Sequence, residues 1–258
     1  LSGSSAQTYG YFGAFDTTRN KLVAVGSSAY QCASSCTTNY KMWVYEWDSA
    51  TNAWAQRCTT PTCAASTPPA QQKGVEIVYD EARKVSVVCL RSNRACWTWN
   101  GATADGTWTS IAAIPTPGLS RGFYDTKYGA ATFIGSDGTY SWTGSWVKRT
   151  TSGLFASGAT YDTIRKKAIA IVKGAANSVT YEWDGTAAAW TSLVAESTAS
   201  PYNKADVAMG FDPVNGRAVA WGGGDGQTSY YAFDFVGNFW EYQAFGNACA
   251  GEVDCLGG

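Results

Sequence analysis

The sequence predicts an all-β fold, a five-bladed β-propeller of four-stranded antiparallel blades. Three observations predict it. One phrase returns five times in 258 residues, at a period of about fifty residues that suits a four-stranded blade. No segment carries a sustained apolar period of about 3.6 residues, so very little helix is expected. Short apolar runs alternate with Gly-rich turns, as in sandwiches, barrels and propellers, and the long period favours the propeller.

Every repeat is expected to run through the same four strands. The first ends in an aromatic residue followed by Asp, the second is apolar, the third carries two alternating aromatic residues, and the fourth opens at a Trp. The aromatic–Asp pairs are Phe15-Asp16, Tyr79-Asp80, Tyr124-Asp125, Tyr161-Asp162 and Phe211-Asp212. The paired aromatic residues are Tyr45/Trp47, Trp97/Trp99, Tyr140/Trp142, Tyr181/Trp183 and Tyr231/Phe233. The closing tryptophans are Trp54, Trp108, Trp146, Trp190 and Trp240. Because one repeat cannot bury its apolar face alone, the phased rings of the third and fourth strands are expected to form the core between stacked neighbours.

The strand pattern is clearest in the fourth and fifth repeats. The fourth is expected to have strands at 156–161, 167–172, 178–183 and 190–194, and its third strand alternates polar and aromatic residues as a sheet strand does. The fifth is expected to have strands at 208–211, 217–221, 229–233 and 239–243. The blades are expected at about 8–57, 73–111, 119–150, 155–194 and 205–244, within one domain of residues 1–258. The Asp that opens each first turn is expected to cap its own backbone two residues on.

Several phrases resemble kelch repeats. Gly222-Gly223 after a second strand, Tyr231 in a third strand and Trp240 in a fourth strand match the kelch pattern. The phrase Tyr181-Glu182-Trp183-Asp184-Gly185 is similar to the divergent kelch-like repeats of exported bacterial proteins. The resemblance implies a β-propeller in a secreted bacterial protein.

Composition excludes some classes of partner. The net charge is −1, from 19 basic and 20 acidic residues, so no basic surplus exists to neutralise phosphates, and nucleic-acid binding is not expected. No apolar run is long enough to cross a bilayer, so no membrane insertion is expected. The chain begins at Leu1 rather than Met, and we expect that a secretory signal was removed, which predicts a secreted protein or one on the extracellular surface.

The eight cysteines form four close pairs. They are Cys32 with Cys36, Cys58 with Cys63, Cys89 with Cys96, and Cys249 with Cys255. A secreted context favours local disulfides, with the last pair stapling a tail at 245–258 that is expected to cover the contact between the last blade and the first. A zinc site is the alternative, but these spacings lack the two-residue knuckle and the chain has no histidine.

Candidate catalytic groups are few. Without histidine, triads that use it are excluded. A pair of carboxylates, Glu76 and Asp206, could serve a glycosidase if they approached each other. The alternative is a structural ion pair between Glu76 and Arg121. No cofactor and no metal ion is expected, since no phosphate-binding loop and no converging set of oxygen ligands is present.

A binding surface is the other candidate site. Tyr30, Tyr40 and Trp43 lie in or beside the long connection between the second and third strands of the first repeat. Aromatic residues among Ser, Thr and Asn on a rigid scaffold are typical of binding surfaces, although ordinary exposed aromatics are the alternative. We therefore expect a non-catalytic secreted module that binds a glycan or an extracellular protein in an adhesive or surface assembly. The alternatives are a structural subunit of a surface filament and a polysaccharide-active propeller enzyme.

Overall fold

The computed structural model describes residues 8–28, 42–68, 74–194, 206–221 and 239–243, which form nineteen strands and one short helix. The chain divides into two compact units, one of residues 1–115 with 142–146 and one of residues 116–141 with 147–258. The prediction of an all-β chain of antiparallel, mostly four-stranded sheets of the propeller type is confirmed.

The first unit holds two four-stranded sheets with strands in sequence order. The first sheet contains β1 (Thr8–Asp16), β2 (Lys21–Ser28), β3 (Trp43–Asp48) and β4 (Ala53–Arg57). The second contains β5 (Val75–Asp80), β6 (Val85–Leu90), β7 (Cys96–Asn100) and β8 (Thr107–Ile111). Their shared core joins Val23, Val25 and Val44 of the first sheet to Trp99 and Trp108 of the second. Trp99 and Trp108 are therefore core residues, as predicted. Trp54 of the first sheet is 48% exposed, so the prediction that every closing tryptophan is buried in the core is wrong for Trp54.

Apart from Trp142 and Trp146, which belong to the first unit, the second unit holds two four-stranded sheets and one three-stranded sheet. The third sheet contains β9 (Leu119–Asp125), β10 (Ala130–Gly135), β11 (Gly138–Trp142) and β12 (Trp146–Thr150). The fourth contains β13 (Ala156–Asp162), β14 (Lys167–Lys173), β15 (Ser178–Asp184) and β16 (Ala189–Val194). The fifth contains β17 (Ala208–Asp212), β18 (Arg217–Trp221) and β19 (Phe239–Gln243). Phe123 and Ile134 of the third sheet pack with Tyr161 and Trp183 of the fourth.

The fifth sheet corrects the predicted number of blades. Five four-stranded blades are predicted, but only four sheets of the described residues have four strands. The predicted fourth strand at 239–243 pairs directly with β18 and so occupies the third position. Its Glu241 lies opposite Val219, as Glu182 lies opposite Ile169 in the fourth sheet. The segment Phe239–Gln243 is thus the counterpart of the Tyr-Glu-Trp strand. The predicted strand at 229–233 lies outside the described residues.

The first turn of each sheet is built as predicted. The carboxylate of its Asp accepts a hydrogen bond from a backbone N–H two or three residues on, with distances of 3.0 Å at Asp16, 3.0 Å at Asp80, 2.8 Å at Asp125, 2.9 Å at Asp162 and 2.9 Å at Asp212. The residue four positions after each Asp has a positive φ; these residues are Asn20, Lys84, Gly129, Lys166 and Gly216. Asn and Gly tolerate this left-handed conformation best.

Two of the four predicted disulfides lie in the described residues, and both are formed. Cys89 and Cys96 join β6 to β7. Cys58 and Cys63 join the end of β4 to a helix, α1 (Pro61–Ser66). The helix is a departure from the prediction. It starts at Pro61 because the residue before it, a threonine, caps it and because proline suits the first helical position.

The other two predicted disulfides fall on parts of the chain that the structure does not describe. Cys32 and Cys36 lie between β2 and β3, and Cys249 and Cys255 lie after β19, all four outside the described residues. The tail at 245–258 lies outside them as well. The bridge from Cys32 to Cys36, the bridge from Cys249 to Cys255 and the covering role of the tail therefore stay predictions.

An aspartate from the second sheet holds the start of α1, and this contact predicts a pH effect on stability. Asp105 accepts from the Thr59 N–H at 2.7 Å, the Thr60 N–H at 3.1 Å and the Thr60 hydroxyl at 2.6 Å. The Thr60 hydroxyl and then the Thr59 N–H lower the pKa of Asp105 from 3.8 to about 2. Because this folded-state pKa is depressed, the carboxylate adds stability above the unfolded pKa that is lost as the pH falls through about 2.

We therefore expect Asp105→Asn to be less stable than the wild type at about pH 6, by a difference that shrinks as the pH falls toward about 2. Urea unfolding across this range measures the difference. If the difference in free energy of unfolding between the wild type and the variant stays constant with pH, these hydrogen bonds do not set the pKa of Asp105.

No helix among the described residues is long and apolar enough to span a membrane. The same residues contain no cluster of three or more His, Cys, Asp or Glu side chains that could hold a metal ion.

Candidate functional site

The predicted ligand residues are only partly described. Trp43 is the first residue of β3, lies opposite Gly26 and is half-buried. Tyr30 and Tyr40 lie outside the described residues. A ligand patch of these three residues therefore stays a prediction.

The two candidate catalytic carboxylates each have an arginine partner. Glu76, in β5, is buried and accepts from Nε of Arg91 at 3.1 Å. Asp206 precedes β17, and its half-exposed side chain accepts from Nη2 of Arg121 at 2.6 Å. Arg121 also donates from Nε to the Ser157 carbonyl at 2.9 Å. A catalytic pair of Glu76 and Asp206, and its alternative of a Glu76–Arg121 ion pair, both stay predictions.

A polar cleft in the second unit has the form of a binding site. It is formed by the β9–β10 turn of the third sheet with the β13–β14 and β15–β16 turns of the fourth, and its volume is about 520 Å³. We call it the turn cleft; it is lined by Thr126, Lys127, Arg165, Lys166, Lys167, Asp184, Gly185 and Thr186. This volume lies within the range of about 300 to 1,000 Å³ that small-molecule sites occupy.

Hydrogen bonds between the two sheets hold the walls of the turn cleft. Asp125 accepts from the indole nitrogen of Trp183 at 2.8 Å. The hydroxyls of Thr126 and Tyr161 are 2.7 Å apart, and the Tyr128 hydroxyl donates to the Gly185 carbonyl at 2.7 Å. The third and fourth sheets thus fix both walls through side chains of the repeat, and the cleft is preformed.

Close packing at the floor of the cleft favours a glycine. A Cβ at Gly185 would lie 3.0 Å from Oδ2 of Asp125 and 3.2 Å from Cβ of Lys127. The Asp184-Gly185 pair therefore allows the third and fourth sheets to approach closely at this point. This is a packing reason for the Asp-Gly dipeptide in addition to its turn chemistry.

The charges around the cleft are balanced, but they are not equally accessible. Two of its four cations are paired: Arg165 binds Asp162 at 2.7 Å and Glu182, and Lys167 binds Glu182 at 2.6 Å. The carboxylates of Asp125, Asp162 and Glu182 are buried. Lys127 and Lys166 are exposed and form no ion pair among the described residues. The solvent-facing surface therefore presents two available ammonium groups.

Two charged groups of the cleft have shifted pKa values. Hydrogen bonds from the backbone N–H groups of Thr186 and Ala187 lower the pKa of Asp184. The hydrogen bond to Glu182 raises the pKa of Lys167. Both groups are therefore ionised across the neutral range, and the cleft offers a stable carboxylate acceptor beside ammonium and hydroxyl donors.

The sequence pattern did not predict this cleft. Each turn was assigned a structural role, and that role is correct for the turn aspartates. The available signal was the run Arg165-Lys166-Lys167, the only three consecutive basic residues in the chain. Its pairing with the turn after Asp125 depends on packing between sheets, which the repeat alone does not specify.

Comparisons with known proteins identify the fold. No protein-family model matches the chain, and no curated protein sequence is significantly similar to it. A triple arginine-to-alanine mutant of AofleA from Arthrobotrys oligospora has a TM-score of 0.57 at 12% identity, over 90% of this chain and 67% of that one. A structural genomics protein of unknown function from Bacteroides thetaiotaomicron has a TM-score of 0.55 at 12% identity, over 81% of this chain and 55% of that one. The Hadza microbial sialidase Hz136 has a TM-score of 0.53 at 13% identity, over 85% of this chain and 53% of that one.

These similarities show the β-propeller fold alone. The chain spans little more than half the length of the Bacteroides protein and of the sialidase. Assignment to the kelch family is not established, because no family model matches.

Proposed function

We propose that this chain is a binding module of an exported protein and that its turn cleft binds a carbohydrate without altering it. The observation that carries the proposal is the combination of two available ammonium groups, an ionised carboxylate and two threonine hydroxyls around one preformed cavity of about 520 Å³. The two disulfides support export, because disulfides persist in oxidising compartments.

The chemistry of the lining favours a ligand rich in hydroxyl groups. A sugar hydroxyl both donates and accepts, so it can donate to Asp184 and accept from Lys127 or Lys166. A polyanion fits less well, because buried carboxylates of Asp125, Asp162 and Glu182 balance the cations of the cleft. A carbohydrate with at most one acidic group matches this mixture of donors and acceptors.

Absence of catalysis is part of the proposal. A glycosidase needs one carboxyl group held protonated as a general acid. Glu76 and Asp206 each accept a hydrogen bond from an arginine, an arrangement that structural ion pairs commonly show. The sialidase among the structural neighbours supports glycans as the class of ligand, while its 13% identity transfers no catalytic residue.

The test of the proposal is a matched pair of lysine substitutions. Lys166 and Lys84 occupy the same turn position, both have a positive φ and both are exposed, but only Lys166 lines the turn cleft. After a glycan array has identified a bound glycan, we expect Lys166→Gln to weaken its affinity about tenfold, since a hydrogen bond to a charged group contributes about 1.5 to 3 kcal/mol. Titration calorimetry measures the affinity.

Lys84→Gln is the control and should bind as the wild type does. Equal affinity of the two variants, or an array with no bound glycan, would contradict the proposal. Release of sugar from broad polysaccharide mixtures by the wild type, lost in Glu76→Gln or Asp206→Asn, would favour the enzyme alternative.

A further inference from the structure

The first unit closes the position that corresponds to the turn cleft. Gly101 follows the third strand of the second sheet, as Gly185 follows the third strand of the fourth. The guanidinium of Arg19, from the first sheet, lies directly against Gly101 and donates to its carbonyl at 2.8 Å. The same guanidinium binds both oxygens of Glu46, at 2.8 and 2.9 Å. An internal ion pair therefore fills this place in the first unit.

The third sheet does not have the side chains that would fill the turn cleft in the same way. Tyr128 lies three residues after the turn Asp, where the first sheet has Arg19. Ser141 lies just before the second aromatic residue of its third strand, where the first sheet has Glu46. The hydroxyl of Tyr128 donates to the Gly185 carbonyl at 2.7 Å, so the contact between the sheets is kept without charge. The cavity accompanies this exchange of an ion pair for two uncharged residues.

The accessible charges of the turn cleft are unevenly partnered. Lys127 and Lys166 are exposed, and neither forms an ion pair among the residues that the structure describes. Asp184 also lines the cleft, but its carboxylate accepts from the Thr186 N–H at 2.7 Å and lies 3.8 Å from Nζ of Lys167. A ligand would therefore meet one carboxylate that already has partners and two ammonium groups that lack an anionic one.

Three buried carboxylates around the cleft limit how much negative charge a ligand should carry. Asp125 accepts from the indole of Trp183 at 2.8 Å. Asp162 and Glu182 both bind Arg165. Because these carboxylates are buried, their charges act through the protein interior and offset part of the positive charge of the cleft. One negative charge on the ligand fits this balance better than several.

Given the proposed function, we propose that the carbohydrate bound in the turn cleft is an acidic sugar, whose single negatively charged group is bound by Lys127 and Lys166. If the cleft binds no carbohydrate, this assignment fails with the function on which it rests. An ammonium group is a compact charge with three rotatable donors, so it suits either the carboxylate of a uronic acid or a sulfate ester. The guanidinium of Arg165 is already engaged by Asp162 and Glu182 and is not assigned to the ligand.

A glycan array built from matched sets of three tests this proposal. In each set the terminal sugar is neutral, carries a uronic carboxylate or carries one sulfate ester, and the rest of the glycan is the same. Titration calorimetry of the bound sets should show at least one acidic member binding about tenfold more tightly than the neutral member, because hydrogen bonds to charged groups are the stronger ones. The two acidic members show which source of negative charge the cleft accepts.

Salt should reduce this preference, because both ammonium groups are exposed. Between about 0.01 and about 1 M salt the Debye length falls from about 30 to about 3 Å. The ratio of the affinities for the acidic and neutral members should therefore fall toward one over this range. A preference that comes from the shape of the sugar alone would not change with salt.

Substitution of both lysines assigns the preference to the cleft. The double variant Lys127→Gln with Lys166→Gln should bind acidic and neutral members with equal affinity. Lys84→Gln is the control, since Lys84 is exposed but does not line the cleft, and it should keep the full preference. Circular dichroism and thermal melting establish that the variants are folded.

The outcomes separate this proposal from the function on which it rests. Neutral members that bind as tightly as acidic ones, or a preference that survives in the folded double variant, would overturn the acidic sugar and leave a carbohydrate-binding cleft standing. Binding of no member of any set would overturn both.

Discussion

Replacing Glu46 by glutamine is expected to lower the free energy of unfolding by about 3 to 5 kcal/mol, the effect of breaking a buried ion pair from one side. Glu46 has a side chain that is 1% exposed. Its two oxygens accept from Arg19 at 2.8 and 2.9 Å, from Arg57, and from the indole of Trp99 at 3.2 Å. Glutamine would remove the charge that balances two guanidinium groups and would turn an amide donor toward them.

The expected loss extends beyond the first sheet. Arg19 also binds Asp16 in the first turn at 2.6 Å and the Gly101 carbonyl of the second sheet at 2.8 Å. Glu46 therefore fixes an arginine that ties the two sheets of the first unit together. Urea unfolding of Glu46→Gln measures the effect.

Glu81→Gln is the control, because Glu81 is exposed, and we expect it to change stability by less than about 0.5 kcal/mol. A loss of under about 1 kcal/mol for Glu46→Gln would mean that this network contributes no more than an exposed ion pair does.

The second large effect is expected at Trp108. Trp108 and Trp54 open the fourth strands of their sheets at equivalent positions, but Trp108 is 3% exposed and Trp54 is 48% exposed. The ring of Trp108 lies 5.1 Å from that of Trp99, centroid to centroid. Truncation of a buried tryptophan to alanine costs about 3 to 5 kcal/mol. We expect Trp108→Ala to lower the free energy of unfolding by this amount. We expect Trp54→Ala to lower it by about 1 kcal/mol or less.

Thermal or urea unfolding of the two variants and the wild type gives both values. Equal losses of unfolding free energy in the two variants would contradict the assignment of Trp108 to the core and of Trp54 to the solvent-exposed surface.

The repeat predicted most strands of the first four sheets closely. Residues 156–161 were expected as a strand, and β13 spans Ala156–Asp162. This success has a physical basis, because a strand that buries one face in a repeated interface must place aromatic and apolar residues at fixed alternating positions. The phased tryptophans supplied that register, as Trp183 opposite Trp190 shows.

The fifth sheet shows where the same reasoning failed. Trp240 was assigned to a fourth strand because every repeat was assumed to close on a tryptophan. Strand pairing instead places Trp240 opposite Ala220, as Tyr181 lies opposite Ala170. The order aromatic, Glu, aromatic at residues 240–242 matches the third strand of the fourth sheet. A tryptophan by itself does not distinguish a third strand from a fourth, because both carry tryptophan in this chain.

The turn cleft and α1 could not be predicted from periodicity. The cleft depends on three turns from two sheets, and α1 depends on the Thr60 cap and its contacts with Asp105. Both arise from tertiary contacts between residues far apart in sequence. A local pattern gives the type of each turn but not which turns lie side by side.

The most direct test of the proposed function is hydrogen exchange of the wild type with and without a glycan found on the array. Binding in the turn cleft predicts slower exchange of the backbone amides at residues 126–128, 165–167 and 184–186, in all three segments together, because the glycan would cover the three turns that line the cavity. Slower exchange confined to residues 27–43, with these three turns unchanged, would contradict the account and locate the ligand at the surface that contains Trp43.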